Sequence, residues 1–259
     1  MSPLDRFLGF AKAGLGSYNW NRRSGNYVLG HRRGLAILSK EGVAMDCCNV
    51  NGLNEIFNKS RAAKESSRYL RKGLDRRATK VVGFLRDQGV AGASILEIGC
   101  GVGSLHLELL KQGAESAVGV DVSQSYVEAA AGLSRTLGFQ DATQYHMGNF
   151  VDLEEDIPSV DIVVLDRVIC CYPDMEGLVT ASTRHTQRTY VLTYPRRTWW
   201  MRIGARAFNL GLTAMRREFR FFLHHPKEIG AAIEDAQFSL IQSARHGPWE
   251  MAAYQRHQA

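Results

Sequence analysis

The run Leu96-Glu97-Ile98-Gly99-Cys100-Gly101-Val102-Gly103 constrains this chain more than any other segment. Ser94 to Ile98 reads as a buried strand, and Ser104 to Gln112, ended by Gly113, reads as a helix. Glycines at alternate positions between them let the backbone turn tightly and approach a ligand closely. The helix that follows offers free N–H groups to anything electron-rich. Asp121 closes a second strand, Ala117 to Val122. In doubly wound folds an acid at that place reaches the hydroxyls of a ribose. The unit predicts a site for an adenosine-type ligand at the switch point of a parallel sheet.

The rest of the chain supplies that sheet. Gly52 to Gln88 has a charge-rich helical pattern, in which Leu70, Leu74, Val81 and Leu85 can share faces across two helices broken near Gly73. After the second strand, Ser125 with Glu128 predicts a capping box at the start of a helix that runs to about Gly138. Further strands are expected at Thr143 to Met147, Asp161 to Leu165 and Thr189 to Thr193, with a helix around Met175 to Thr186. A helix at Pro226 to Asp235 precedes two strands, Phe238 to His246 and Trp249 to Tyr254, joined as a hairpin by His246-Gly247-Pro248. The predicted fold class is α/β. It is a doubly wound, mostly parallel seven-stranded sheet ending in an antiparallel hairpin, with N-terminal helices and a helical insertion after the fifth strand. The expected division is a basic, poorly ordered extension at 1–44, a helical cap at 45–90, and a sheet domain at 91–259 that carries an insertion at 196–225.

The glycine spacing separates ligand classes. The dinucleotide fingerprint G-x-G-x-x-G has Ser104 at its third glycine position here, and the Gly-Lys-Ser/Thr of a phosphate loop is absent. The form Glu97-x-Gly99-x-Gly101-x-Gly103, followed by helix, strand and Asp121, resembles the first motifs of the class I S-adenosylmethionine methyltransferases. By element order the resemblance covers Ser94 to Tyr254. It implies S-adenosylmethionine as cofactor, with Glu97, Gly99, Gly101, Gly103, Asp121, Asn149 and Asp166 on the cofactor side. Asn149 stands where that family often has an acid near the adenine; an amide oxygen can still accept from the adenine amino group. Gly99 to Leu105 and the Tyr172-Pro173 step are also similar to the magnesium-protoporphyrin O-methyltransferases. That group has a histidine just before Tyr-Pro, and this chain has Cys171, so the porphyrin substrate is not carried over.

On the acceptor side the candidates are Cys171, Tyr172, His224 and His225. Each has a plainer reading: Cys170 and Cys171 as small core residues, Tyr172 as packing at a turn, the histidines as caps of the helix at Pro226. Asp166 and Arg167 read equally well as a surface ion pair beyond a strand end. In similar enzymes N-terminal helices fold over the cofactor, which makes Phe57, Arg68 and Tyr69 candidates, the last two for the methionine carboxylate. Their alternative is an ordinary exposed helix face. Methyl transfer from a sulfonium is a displacement that needs alignment and exclusion of water, and a base only when the acceptor must lose a proton.

Charge and cysteines narrow the setting. The net charge is +6, but residues 1–44 hold seven Lys/Arg against Asp5 and Glu41, so the basic balance belongs to that extension. It reads as a leader, or as sequence upstream of a start at Met45; an organelle transit peptide would share its character. The five cysteines include the adjacent pairs Cys47-Cys48 and Cys170-Cys171, a poor disulfide framework and poor chelate spacing. A cytoplasmic protein without a metal site is expected. No apolar run is long enough to span a membrane; the one from Ile162 to Cys171 is interrupted by Asp166 and Arg167.

Arg196 to Phe222 holds seven arginines and one acid, Glu218. Met201, Ala205, Phe208, Leu212 and Met215 share a helical face, flanked by aromatic residues. It reads as a lid over a hydrophobic acceptor pocket, as a packing helix with a solvated basic face, or as a peripheral membrane contact through 196–222. The Asn/Asp-Pro-Pro-aromatic motif of base-amino methyltransferases is missing at Asp166-Arg167-Val168-Ile169, which argues against a nucleic-acid partner. The expected function is methylation of a small-molecule or lipophilic acceptor. A non-catalytic S-adenosylmethionine-binding module acting through the basic insertion is the alternative. A nicotinamide oxidoreductase fits the glycine spacing and closing hairpin less well.

Overall fold

The computed structural model describes residues 56–257, Leu53, and the backbone of two strands, β1 (Asn26–His31) and β2 (Gly34–Ser39). Cys47 and Cys48 lie outside the described residues. The strands of the main sheet are β3 (Ser94–Ile98), β4 (Ser116–Asp121), β5 (Thr143–Met147), β6 (Val160–Asp166), β7 (Thr186–Pro195), β8 (Phe238–His246) and β9 (Trp249–Arg256). Their order is β5-β4-β3-β6-β7-β9-β8, and the β1–β2 hairpin from the basic extension continues the sheet beyond β5. Strands β3 to β7 are parallel, and β9 pairs antiparallel with both β7 and β8. The chain winds outward from β3 through β4 to β5, then crosses to β6 on the other side of β3. The expected seven-stranded, doubly wound sheet with its closing hairpin is therefore present, and the loop after β3 sits at the switch point.

Among the described residues eight α-helices accompany it: α1 (Lys59–Lys72), α2 (Arg76–Asp87), α3 (Ser104–Lys111), α4 (Gln124–Leu137), α5 (Phe150–Leu153), α6 (Met175–Arg184), α7 (Trp199–Ala214) and α8 (Pro226–Asp235). The central strands β3, β4 and β6 are largely apolar because both faces are covered. Successive residues face opposite sides. Along β6, Ile162 and Val164 join a core with Tyr69 of α1, Leu85 of α2, Leu109 of α3 and Leu133 of α4. Val163 and Leu165 join the opposite core with Phe150, Leu178 of α6 and Ile233 of α8.

Local signals set the helix ends. Asn58 caps α1 by accepting from the Arg61 N–H, and Gly73, at φ 68°, ends it. Asp75 caps α2 by accepting from the N–H groups of Arg77 and Ala78. The break near Gly73 is where the sequence puts it. The capping box expected at Ser125 does not form. The helix starts one residue earlier with Ser123 as its cap residue, and the Ser123 hydroxyl donates instead to the Phe57 carbonyl (2.6 Å). A backbone carbonyl from the N-terminal cap outcompetes the local partner.

The cap is pinned to the sheet by a buried ion pair. Arg77, on α2, reaches Asp166 at the end of β6 and also Asp75 at 3.1 Å. The Thr193 hydroxyl donates to Asp166 at 2.5 Å. The surface pair of Asp166 with Arg167 is thus corrected: Asp166 turns inward to Arg77, while Arg167 is exposed at φ 62° and its N–H donates to Thr193. Arg77 is the better partner because α2 lies over the strand ends, where water is excluded. Burial lowers the Arg77 pKa to about 10, still above neutral pH. Arg77→Met should lower unfolding free energy by about 3–5 kcal/mol, because it strands a buried carboxylate. Arg77→Met with Asp166→Leu should recover most of that loss. Urea denaturation of both variants measures the difference.

Candidate functional site

The site grows from the bend after β3. Gly99, Gly101 and Gly103 all adopt left-handed backbone, at φ 64°, 57° and 77°. A Cβ at Gly99 would lie 2.4 Å from Val168, and one at Gly103 would lie 2.8 Å from the His106 ring. Glycine is required at both for conformation and for space. Asp121 locks the bend from the neighbouring strand. One of its carboxylate oxygens accepts from the Gly101 N–H (2.9 Å) and the other from the Ser123 N–H (2.9 Å). The Cys100 N–H donates to Val120 O, and the Gly148 N–H donates to Asp121 O, so the ends of β3, β4 and β5 are tied together.

Under the loop lies a buried polar chain. Glu97 accepts from the backbone N–H of His106 (3.2 Å) and from its Nδ1 (2.7 Å), and His106 Nε2 meets the Tyr145 hydroxyl at 2.9 Å. A carboxylate can only accept, so Nδ1 donates to Glu97; in the neutral ring Nε2 then accepts from the Tyr145 hydroxyl. Glu97, placed by resemblance on the cofactor side, thus supports the loop through His106.

Asn149 follows β5 on the same rim. Its amide nitrogen donates to Asp152 (3.1 Å), while its Oδ1 is buried without a hydrogen-bond partner among the described residues. A buried acceptor in that condition costs about 1–3 kcal/mol unless a donor arrives. An aromatic amino group of the adenine type would supply one.

The segment after β6 lies against the bend, with Val168 beside Gly99. Ile169–Cys171 forms a single 3₁₀ turn. The Cys170 and Cys171 sulfurs are 3.9 Å apart. Their mutual hydrogen bond pushes the buried Cys170 thiol up and holds Cys171 below the usual thiol range. The end of the insertion folds back onto this turn: the Phe222 N–H donates to Cys170 O, and His224 Nε2 lies 2.8 Å from Tyr172 O. Cys171, Tyr172 and His224 therefore come together. His225 does not join them, since its Nδ1 caps α8 by accepting from the Lys227 N–H (3.2 Å).

Two candidates from the N-terminal helices are relocated. Tyr69 is buried with its hydroxyl donating to Glu108 (2.7 Å), on the outer side of α3, and Arg68 is exposed on α1. Phe57 does lie beside the loop, with its ring edge-on to Tyr126 at 5.6 Å. The residues that sequence reasoning missed are Arg77, His106, Tyr145 and Thr193. The signal for His106 lay in its spacing from Glu97, because a strand, tight loop and helix place the first helical turn over the strand end. Arg77 and Thr193 gave no local signal.

The order of the sheet, the glycine bend at its switch point and the acid ending β4 give the chain the fold of the methyltransferases to which it is similar. Residues 96–188 match the family model described as a methyltransferase domain. Among solved structures, the chain is similar to magnesium protoporphyrin IX methyltransferase from Synechocystis PCC 6803 with bound S-adenosylhomocysteine. The TM-score is 0.62 at 17% identity, covering 79% of this chain and 98% of that one. An O-methyltransferase family protein from Burkholderia thailandensis gives a TM-score of 0.59 at 15% identity, covering 77% of this chain and 63% of that one. Curated relatives match over shorter stretches. Ribosomal protein L11 methyltransferase of Alteromonas mediterranea is 32% identical over 99 residues, 36% of this chain and 34% of that protein. Protein arginine N-methyltransferase 1 of Saccharomyces cerevisiae is 37% identical over 70 residues, 27% of this chain and 20% of that protein.

Burial raises the Asp121 pKa to about 6, against the relief given by the Ser123 and Gly101 N–H groups. The folded value lies above the unfolded one near 3.8. Ionising Asp121 therefore costs the fold, and stability should fall as pH rises from about 4 through 6. Asp121→Asn should remove that slope. Urea midpoints for the two proteins between pH 4 and 7 test the sign; parallel curves would refute it.

Proposed function

We propose that the chain is an S-adenosylmethionine-dependent methyltransferase acting on a small, lipophilic acceptor. The single observation that carries the cofactor assignment is the Oδ1 of Asn149, buried and unpartnered among the described residues, on the rim of a glycine bend that also presents Asp121. The residues present fit an adenosine-bearing ligand: an amide acceptor for the adenine amino group, a carboxylate for the ribose hydroxyls, and a bend without side chains for the amino-acid tail. When bound, the sulfonium supplies an activated methyl group. Asp121 positions the ribose, and the left-handed bend lets the backbone meet the ligand without a Cβ in the way.

On the acceptor side, Cys171, Tyr172 and the return of the insertion form the wall and exclude water. His224 is the candidate for proton transfer. The Tyr172 carbonyl holds the proton on Nε2, which leaves Nδ1 as an acceptor. Phe222, which the return of the insertion brings to the Cys170 turn, supports a lipophilic acceptor. The second reading, a non-catalytic binder of the same cofactor, differs only in turnover.

Calorimetry with S-adenosylmethionine, S-adenosylhomocysteine and NAD tests the assignment: the first two should bind, and NAD alone binding would reject it. Release of S-adenosylhomocysteine with a lipophilic metabolite extract separates the enzyme from the binder. Asp121→Ala should weaken S-adenosylhomocysteine binding by about 1–3 kcal/mol, the range for a hydrogen bond to a charged group, with the fold retained by circular dichroism. An unchanged affinity would misplace the ribose.

A further inference from the structure

The insertion carries a feature that methyl transfer does not use. The helix α7 packs chiefly on its own return segment. Asn209 clamps Phe221 by donating to its carbonyl and accepting from its N–H, each at 2.8 Å, and Phe208 stands edge-on to Phe219 and Phe221. Of the stripe expected to face inward, Ala205 and Leu212 are buried, while Phe208 and Met215 remain exposed. A second stripe points outward. Trp199, Ile203 and Leu210 are 74%, 58% and 72% exposed. On a 3.6-residue repeat they fall within a narrow arc, continued by Ala207, Ala214 and Trp200, with no charge in it. Six of the nine large hydrophobic side chains exposed among the described residues lie between 199 and 215.

Beside that arc run Arg202 and Arg206. With Arg197, Asn209 and Phe221 they line a cleft of about 200 Å³. The helix contains no acid. An outward apolar face bordered by arginines fits a surface that is apolar within and anionic at its boundary. Tryptophan and arginine stems suit that boundary, one through an amphipathic ring and the other through a long stem with a charged end. Guanidinium forks match phosphate geometry. Self-pairing of two copies fits less well, because it would bring arginines together with no acid from α7 to offset them. Among the described residues no helix is long and apolar enough to cross a membrane. The helix would lie in the plane of the interface.

We infer that α7 docks this protein on an anionic phospholipid bilayer, with Trp199, Ile203 and Leu210 in the acyl boundary and Arg197, Arg202 and Arg206 on lipid phosphates. This inference is independent of the cofactor assignment, and its test involves no turnover.

The full chain is sedimented with vesicles of phosphatidylcholine alone or with about one-third phosphatidylglycerol, the anionic attraction being the variable. Binding should be at least about tenfold stronger to the anionic vesicles and should weaken as salt shortens electrostatic range. The triple change Trp199→Gln, Ile203→Gln, Leu210→Gln should abolish binding. These positions are exposed, and circular dichroism checks that the fold is kept. The double change Arg202→Gln, Arg206→Gln should remove the preference for anionic vesicles. Wild-type protein that stays in the supernatant with both vesicle types would overturn the inference. So would binding that survives the triple change, or light scattering that shows a dimer dissolved by that change.

Discussion

The site depends on a short stretch of left-handed backbone after β3. Left-handed conformation is costly for residues with a Cβ, and three such residues in five positions are accessible only to glycine. Glycine alone does not fix the bend, since its freedom in the unfolded chain is lost on folding. Two carboxylates, the part-buried Asp121 and the buried Glu97, do that. Asp121 holds the Gly101 N–H from β4, and Glu97 holds the first turn of α3 through His106. The His106 ring occupies space that a Cβ at Gly103 would need, so the glycine and the histidine require each other. The same reasoning explains Gly119 inside β4. A Cβ there would meet the Tyr145 ring at 2.8 Å, and Tyr145 is the far end of the chain that starts at Glu97.

Most of the fold was legible because its signals are local. The period of the apolar residues located β3, β5, α8, β8 and β9 to within a residue or two, and the hairpin followed from His246-Gly247-Pro248. Of the site, Gly99, Gly101, Gly103, Asp121 and Asn149 were readable from position along the strand ends. What escaped were long-range side-chain pairings. Nothing near Arg77 in sequence points to Asp166, and nothing near Ser125 shows that Phe57 will take the hydroxyl of Ser123 instead. Tyr69 was misassigned for the same reason: a helix pattern gives the buried face but not the neighbour on it, here Glu108.

On the proposed function, the cofactor side and the acceptor side are held by different forces, and this bears on how each can move. The cofactor side is fixed by backbone geometry and by carboxylates within the sheet. The acceptor side hangs on hydrogen bonds between the return of the insertion and the turn after β6, chiefly Phe222 to Cys170 and His224 to Tyr172. Contacts of that kind open at lower free energy than a packed core. A wall that opens separately from the cofactor site suits an enzyme that keeps one partner constant and admits another of varied shape.

The topology joins this wall to the outward face of α7. Strands β3, β4, β6 and β7 run parallel, so their carboxyl ends, with the glycine bend, Asp121 and Asp166, lie at one end of the sheet. The helix α7 leaves from that same end, after Pro195, and its return segment reaches the turn at Cys170 before α8 begins. On the readings proposed above, the apolar surface and the acceptor wall are successive parts of one insertion. An acceptor dissolved in lipid would then reach the crevice without crossing water, which is the largest free-energy barrier for a lipophilic molecule. The arginines that border α7 would hold that end of the sheet toward the bilayer, so orientation and delivery would come from the same thirty or so residues.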